Sequence, residues 1–325
     1  MDVELRELRY FVAVAEELNF SRAAERIGMA QPPLSRAISK LEHRLGVRLL
    51  DRDTRRVSLT PAGETLLGAA NGLLESMAAA VRDTRRAAQP APAFTVTAKP
   101  GVANGLLRRI VNAFAALPGS PPVDILVSPY RRQAELVRDG RADLALLNSP
   151  FDARGLETEL LLSEERVAAL SAEHPLAGRA SLSRADLAGE PIARWPESTP
   201  AERLYWAGGS DDPFRADDAF RAADVEVLGP EVSDSAELLD VIGLGQAVAV
   251  VPAHTARQYP RPDIRYVPVP DAAPTITAIG WRAGRRDPVL GAFLRAARLV
   301  AAEPAEPVAS GGPASSAEPA EAVLG

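Results

Sequence analysis

Residues 19–60 read NFSRAAERIGMAQPPLSRAISKLEHRLGVRLLDRDTRRVSLT, and their periodicity decides the fold of the N-terminal part. Ser21 can cap a short helix whose apolar side is Ala23, Ala24 and Ile27, with Gly28 to end it. A second helix begins near Gln31–Pro33, where proline does no harm because first-turn N–H groups lack intrahelical partners. Leu34, Ile38, Leu41 and Leu45 recur at helical spacing and form one narrow apolar stripe. Pro32, Ser35, Arg36, Ser39, Lys40 and His43 face the other way, and Gly46 stops the helix. That outer face is small, polar and basic. A DNA major groove is about 12 Å wide and admits one such helix. There Ser hydroxyls and Gln amides can read base edges, and Arg can take guanine or phosphate.

Leu49–Leu50 and Val57–Leu59 flank Asp53, Thr54, Arg55 and Arg56, the pattern of a hairpin with a basic tip. Within residues 31–60, Arg36, Lys40, Arg44, Arg48, Arg52, Arg55 and Arg56 oppose only Glu42, Asp51 and Asp53, in a chain of net charge −6. A local sign that runs against the global one favours a nucleic-acid surface. Periodicity and charge alone fit an ordinary helical hairpin with a solvated face equally well.

The order of the signals separates the two readings. The stretch resembles the winged helix-turn-helix of LysR-type transcriptional regulators. The resemblance rests on Phe11, Phe20, Ala23–Ala24, Gln31, Leu34–Ser35, Ile38, Leu41–Glu42, Leu45–Gly46, Leu49, Arg52, Leu59–Thr60 and Ala62–Gly63. Two departures stand out: Ala30 lies where the family often has Ser or Thr, and Leu50 where Phe is usual. The base-reading candidates are Gln31, Pro32, Ser35, Arg36 and Ser39. Ser21, Arg22, Lys40, Arg52, Arg55 and Arg56 are candidates for phosphate or minor-groove contact.

At 325 residues, 46% hydrophobic and 25% charged, the chain has the composition of a soluble globular protein of one to three domains. It has no apolar run of about 18 residues and no apolar N-terminal leader, so neither a membrane span nor secretion is expected, and a cytoplasmic location is. Absence of cysteine excludes disulfides, thiolate metal sites and thiol redox sensing. Lysine occurs only as Lys40 and Lys99.

Upstream, Glu4–Leu18 reads as a supporting helix with Leu5, Leu8, Phe11, Val12 and Ala15 as its stripe. Thr60 and Pro61 open a long helix running to about Ala88, roughly 40 Å at about 1.5 Å per residue. Leu66, Ala70, Leu73, Met77 and Val81 form a seam along it, for a partner helix or for its own chain. Self-association is the expectation, because a dimer presents two reading helices to one DNA; the resemblance implies the same dimerising linker. QPAPA at 89–93 is the natural domain joint.

Beyond it, strands and helices alternate. Strands are expected at Phe94–Ala98, Val123–Ser128, Leu144–Leu147, Glu159–Leu162, Val167–Ser171, Pro191–Arg194, Glu226–Leu228, Ala247–Val251, Tyr266–Val269 and Thr275–Arg282. Helices are expected at Gly105–Leu117, Gln133–Arg138, Ser183–Leu187, Pro213–Ala223, Ser235–Gly243 and Pro288–Val300. This alternation implies α/β halves on parallel sheets with crossovers. The region resembles the LysR-type effector domain, related in fold to periplasmic solute-binding proteins. The matching phrases are Asp139–Gly140 through Asp143–Leu146, His174–Pro175–Leu176, Val241–Gly245 with Val248–Pro252, and Gly280–Trp281–Arg282. The expected organisation is therefore α/β multidomain: a winged helix-turn-helix at 1–60, a linker helix at 61–89, and a two-subdomain effector domain at 94–300. Subdomain I takes about 94–162 and 268–300, subdomain II about 163–267, and 301–325 is a disordered tail rich in Ala, Pro, Glu and Ser.

No catalytic constellation is present. His43, His174 and His254 are scattered, and no H-E-x-x-H, G-x-S-x-G or phosphate-loop run occurs. Gly243–Leu244–Gly245 lacks the third glycine of a dinucleotide fingerprint. No metal or cofactor is expected. In open α/β folds ligands sit beyond the carboxyl ends of strands. That selects Lys99, Gly101 and Val102, then Ser128 and Tyr130, then Asn148 and Ser149, with Trp195 and Ser235 from the other half. Many family members carry Ser or Thr after the first strand, where this chain has Lys99–Pro100–Gly101. Lys99 either replaces that hydroxyl with a full charge, which suits a small organic anion, or points to solvent.

The expected partners are double-stranded promoter DNA with an interrupted inverted repeat, a small organic effector, further copies of the chain as homodimer or homotetramer, and RNA polymerase. Two rivals stand beside this regulator: an architectural DNA protein whose C-terminal half only oligomerises, and an enzyme with a DNA-binding appendage.

Overall fold

The computed structural model describes residues 3–52, 57–88, 93–101, 103–196, 198–209 and 228–303. Helices α1 (Leu5–Glu17), α2 (Phe20–Arg26) and α3 (Gln31–Leu45) lead into strands β1 (Leu50–Arg52) and β2 (Val57–Leu59), which pair antiparallel as a wing. The stripe of α3 is buried as its spacing requires: Leu34, Ile38 and Leu41 close on Phe11 of α1 and on Leu49 and Leu50, all at most 1% exposed. Leu50 thus fills a core position. The cap of α2 differs from the expectation. Asn19, not Ser21, accepts from the backbone N–H groups of Ser21 and Arg22 at 2.9 and 3.1 Å, because the helix begins two residues earlier than its small-residue pattern suggests. Ala30 gives α3 no side-chain cap.

Helix α4 spans Pro61–Ala87, with Thr60 accepting from the Gly63 N–H and donating to the Arg48 carbonyl. Gly63 has to be glycine, since a Cβ there would lie 2.1 Å from the Leu49 carbonyl oxygen. The apolar seam of α4 divides. Leu66 and Ala70 pack on Leu8 and Val12 of α1, whereas Leu73, Met77 and Val81 are 55, 43 and 37% exposed.

Next come β3 (Phe94–Ala98), a π-helical turn, α5 (Arg108–Ala115), β4 (Val123–Val127), α6 (Gln133–Arg138), β5 (Leu144–Asn148) and β6 (Leu156–Glu164). The chain then builds β7 (Arg166–Ser171), β8 (Ile192–Arg194), α7 (Pro200–Trp206), β9 (Leu228–Glu231), α8 (Ser235–Gly243), β10 (Ala249–Pro252), α9 (His254–Gln258) and β11 (Ile264–Pro268). It returns with β12 (Thr275–Arg282) and α10 (Pro288–Ala302).

The first sheet has the order β4-β3-β5-β12-β6 and the second β10-β7-β11, with β8 and β9 as a further parallel pair. The expectation of parallel sheets holds for β3, β4 and β5. It holds also for β8 and β9 but fails for the rest: β12 is antiparallel to β5 and β6, and β7 is antiparallel to β10 and β11. β5 and β6 run in the same direction, and β12 returns between them in the opposite one. The chain passes from one sheet to the other at Glu165 and again between Pro268 and Thr275. Each sheet has its own core, Phe94, Phe114 and Phe293 in one, Tyr205, Trp206 and Ile242 in the other.

Helices α7 and α9 have no counterpart in the sequence reading; at seven and five residues they are too short to show a period. The expected helix Pro213–Ala223 lies outside the described residues, as do 304–325 and most of the expected strand at 226–228. Among the described residues no helix is long and apolar enough to cross a membrane.

Candidate functional site

Two surfaces gather the residues singled out by the sequence. The first is the outer face of α3. Gln31, Pro32, Arg36, Ser39, Lys40 and His43 are exposed and Ser35 is half-buried. The acids near this face are turned inward. Glu42 accepts from the backbone N–H groups of Leu49 and Leu50 at 2.9 and 3.1 Å, which ties α3 to the wing. Glu7 receives Arg44 at 2.5 Å and the Glu4 N–H at 3.1 Å, which ties α3 to α1. Burial alone would raise the Glu7 pKa, but these donors hold it below the ordinary carboxyl value. Arg36 and Lys40 project outward with no salt bridge among the described residues, although the Lys40 charge also helps to lower the Glu7 pKa. Ser21 and Arg22 are exposed beside α3, but the Arg22 guanidinium is engaged by Glu17, donating to its carbonyl at 2.7 Å. Arg52 is the last residue of β1, paired with Val57; Arg55 and Arg56 lie outside the described residues. The sequence reading missed Glu7 and Glu42. Their signal was present, since each is an acid in reach of backbone donors at an element end.

The second surface is a cavity of about 970 Å³ between the two sheets of the C-terminal half. Parallel register sets the carboxyl ends of β3 and β4 side by side, Ala98 opposite Val127, with β5 on the other side of β3. Lys99 emerges there. It is half-buried and has no carboxylate partner among the described residues; its ammonium lies 5.5 Å from the centre of the Tyr130 ring. Burial without a counter-ion lowers its pKa from 10.5 to about 8. Opposite stands an aromatic wall. Trp195 stacks on Trp206 at 4.3 Å, and Tyr130 meets Trp195 at 5.2 Å and Trp206 at 6.1 Å. Burial, with Glu202 nearby, pushes the Tyr130 phenol above its ordinary pKa, so it stays neutral. The indole Nε1 of Trp195 is buried without a hydrogen-bond partner.

The remaining expected effector residues divide. Gly101 sits at φ +88° and offers its carbonyl to Gln258 at 2.7 Å, closing one end of the cavity. Ser235 opens α8 on the cavity rim, where Asp234 caps the helix through the N–H groups of Ala236 and Glu237. Asn148 lines an adjoining cavity that also reaches Lys99 and Tyr130, and its Oδ1 is buried without a partner. The two serines are hydrogen-bonded within the fold. Ser128 is held by Thr97 at 2.8 Å and by Gln133 at 2.8 Å. Ser149 points to β12, bonding the Ile276 N–H at 3.0 Å, and lines neither cavity. Ser128 nevertheless lines the cavity of about 970 Å³, with its hydroxyl oriented by Thr97 and Gln133. Val102 lies outside the described residues. Trp206, on the unexpected helix α7, escaped the sequence reading. Among the described residues no cluster of His, Asp or Glu could hold a metal.

Residues 5–64 match the family described as "Bacterial regulatory helix-turn-helix protein, lysR family", and residues 87–302 match the "LysR substrate binding domain". The chain belongs to the LysR family of transcription regulators. Among similar proteins, the Hca operon transcriptional activator HcaR of Escherichia coli is 28% identical over 90% of this chain and 96% of its own length. ShiR of Corynebacterium glutamicum is 31% identical over 87% and 94%, and BudR of Raoultella terrigena 31% over 90% and 99%. A crystal structure of a point mutant of full-length BenM superposes with a TM-score of 0.51 at 26% identity, covering 92% of this chain and 96% of that one. The LysR regulator thus pairs a helix-turn-helix for promoter DNA with a domain for a small-molecule effector, and such regulators act as oligomers. These relatives are regulators, so the enzyme and architectural rivals fall away.

Proposed function

We propose that this LysR-family regulator responds to a small organic anion seated between Lys99 and the Trp195–Trp206 wall. The observation that carries the reading is Lys99: a half-buried ammonium with no carboxylate partner among the described residues, facing an aromatic-lined cavity. A buried charge without a partner costs free energy unless a ligand supplies the counter-charge. A planar, partly apolar acid matches both halves of the cavity, its carboxylate on Lys99 and its body on the indoles. Asn148 Oδ1 and Trp195 Nε1 are a spare acceptor and a spare donor beside it.

On the DNA side, Gln31, Pro32, Ser35, Arg36 and Ser39 are the base readers, and Ser21, Lys40, Arg52, Arg55 and Arg56 the phosphate or minor-groove contacts. Arg22 would have to leave Glu17 to join them. The exposed Leu73, Met77 and Val81 of α4 suit a second copy of the chain, which would present two α3 helices to an interrupted inverted repeat in promoter DNA. The protein acts in the cytoplasm, with RNA polymerase as a further partner.

A panel of small organic acids, screened by thermal shift against the wild type, Lys99→Met and Lys99→Arg, tests the effector assignment. An acid that stabilises the wild type should lose most of its effect in Lys99→Met and retain part of it in Lys99→Arg. An acid that shifts all three equally removes Lys99 from the site.

A further inference from the structure

Helix α4 has two faces, and the sequence pattern explains only one. The seam Leu66–Ala70–Leu73–Met77–Val81 runs along one side. Ala79, Arg82, Asp83 and Arg86 fall on a second stripe, roughly half a turn away at 3.6 residues per turn. Every member of that stripe touches the first sheet's subdomain. Ala79 is fully buried, and its Cα lies so near Gly140 that a Cβ on that glycine would come within 3.0 Å of it. Gly140 is also at φ +77°, a conformation that glycine adopts readily. Arg82 donates to the Asp139 carbonyl at 2.5 Å. Asp83 pairs with Arg282 of β12, and Arg86 with Asp143.

Asp143 is the anchor. It is 2% exposed, accepts from the Thr95 N–H at 2.8 Å, and shares its other oxygen between Arg86 and Arg285. Arg285 is fixed in turn by Asp287 at 2.6 Å. A buried carboxylate that joins the linker helix, the start of β3 and the β12–α10 turn leaves the helix end little freedom to swing.

We propose that Arg82, Asp83 and Arg86 are positioning residues that fix the angle of the linker helix on the effector domain. They thereby set the spacing at which a dimer presents its two α3 helices. The seam lies on the opposite face, so the helix can hold a partner copy and its own effector domain at once. Movement of the first sheet on ligand binding then reaches the helix without passing through a loose joint. The contact is made by chemistry that substitution can dissect. Loss of Arg86 leaves Asp143 with Arg285 and the Thr95 N–H, so the fold is retained.

The natural chain has no cysteine, so spin labels can be placed at will. Labels at the exposed positions Arg85 and Arg295, in full-length chains diluted with unlabelled protein, report the distance within one chain by pulsed electron resonance. The native chain should give one narrow distribution. D83R, R282D and R82A/R86A should each broaden or shift it, and D83R/R282D, which re-forms the pair with the charges exchanged, should restore it. In parallel, a set of DNA duplexes carrying two half-sites at varied separation is titrated with each variant. Single variants should lose discrimination between separations by at least about 5-fold, the low end of ordinary coupling between sites, at unchanged affinity for one half-site. The proposal is overturned if R82A/R86A keeps both the native width and the native distance, or if D83R/R282D is as far from the native distribution as its parents. The distance readout does not depend on the effector or on the assigned base contacts, so their failure would leave it standing.

Discussion

The reading helix α3 and the cavity beyond β3 both depend on cations, and they hold them in opposite ways. On α3 the basic groups stand in water, and the nearby acids are removed from the face by backbone hydrogen bonds and by Arg44. Exposed charge costs little to maintain and attracts a polyanion over a distance set by ionic strength. In the cavity one lysine stands half-buried with its pKa lowered to about 8. Such a charge is costly to keep, and it discriminates at short range between ligands that neutralise it and those that do not. A regulator needs both: a tolerant, long-range grip on DNA and a selective, short-range test of the effector.

The separateness of the two regions can be broken most directly in a core. Ile38 is 1% exposed and belongs to the cluster around Phe11 and Leu34, which shares no residue with the two sheet cores. Ile38→Ala should cost roughly 2–5 kcal/mol and abolish DNA binding. Calorimetry should show the winged-helix transition falling while the effector-domain transition keeps its midpoint. Equal loss in both would mean that the cores are coupled. A smaller effect is expected on the surface. Arg36→Ala should relax base preference at one position by about 1–3 kcal/mol, whereas Lys40→Ala should weaken all sequences alike and reduce the salt slope by about 1. Binding measured on a set of single-base variants at two or more salt concentrations separates these outcomes.

The same contrast governs what the sequence disclosed. The α3 face was legible because it lies on one continuous helix, where Leu34, Ile38 and Leu41 announce which side is buried. The hairpin, the linker helix with its Thr60 cap, and the strands β3 to β5 were legible for the same local reason. The cavity was only half legible. Strand ends pointed to Lys99, Ser128 and Tyr130, which line it, but Ser149 turned to β12, and Trp206 arrived on a helix too short to show a period. No local pattern reveals whether a serine at a strand end turns toward the cleft or into the fold, because that choice is made by its bonding partner, for Ser149 the distant Ile276. The antiparallel return of β12 was hidden likewise, since strand direction is fixed by the path between elements and not by their composition.

Lys99 allows the short-range side of the comparison to be sharpened with pH. Its folded pKa lies below the ordinary value of 10.5, so the unfolded chain binds the extra proton more readily between about pH 8 and 10.5. The cost of the buried charge is present in full below about pH 8 and is relieved as pH rises through that window. Lys99→Met should therefore be more stable than the wild type at pH 7, by up to about 1 kcal/mol after allowance for residual solvent contact, and the gap should close toward pH 10.5. An acid bound against Lys99 should raise its pKa again. Affinity in the wild type should then fall above about pH 8, approaching a tenfold loss per pH unit. A flat affinity profile from pH 7 to 9.5 would show that the ammonium does not meet the anion.

The weakest expected effect lies at the passage between the sheets. Glu164, the last residue of β6, accepts from the His254 backbone N–H at 2.7 Å, meets its ring Nδ1 at 2.5 Å, and pairs with Arg257 at 3.2 Å. Burial alone would raise the Glu164 pKa, but the His254 hydrogen bonds, its ring and the Arg257 guanidinium outweigh it, and the carboxyl is held below 4.5. A carboxyl with a depressed folded pKa stabilises the fold above its unfolded value and loses that contribution as pH falls through the folded value. Both side chains are about a quarter exposed, so the pair contributes no more than about 1 kcal/mol. Glu164→Gln should lower the melting temperature of the effector domain by a few degrees at pH 7, and the difference should shrink below pH 4.5 as the wild-type carboxyl takes up its proton. A difference that persists unchanged to pH 3 would assign the effect to packing at the crossover and not to the carboxylate's charge.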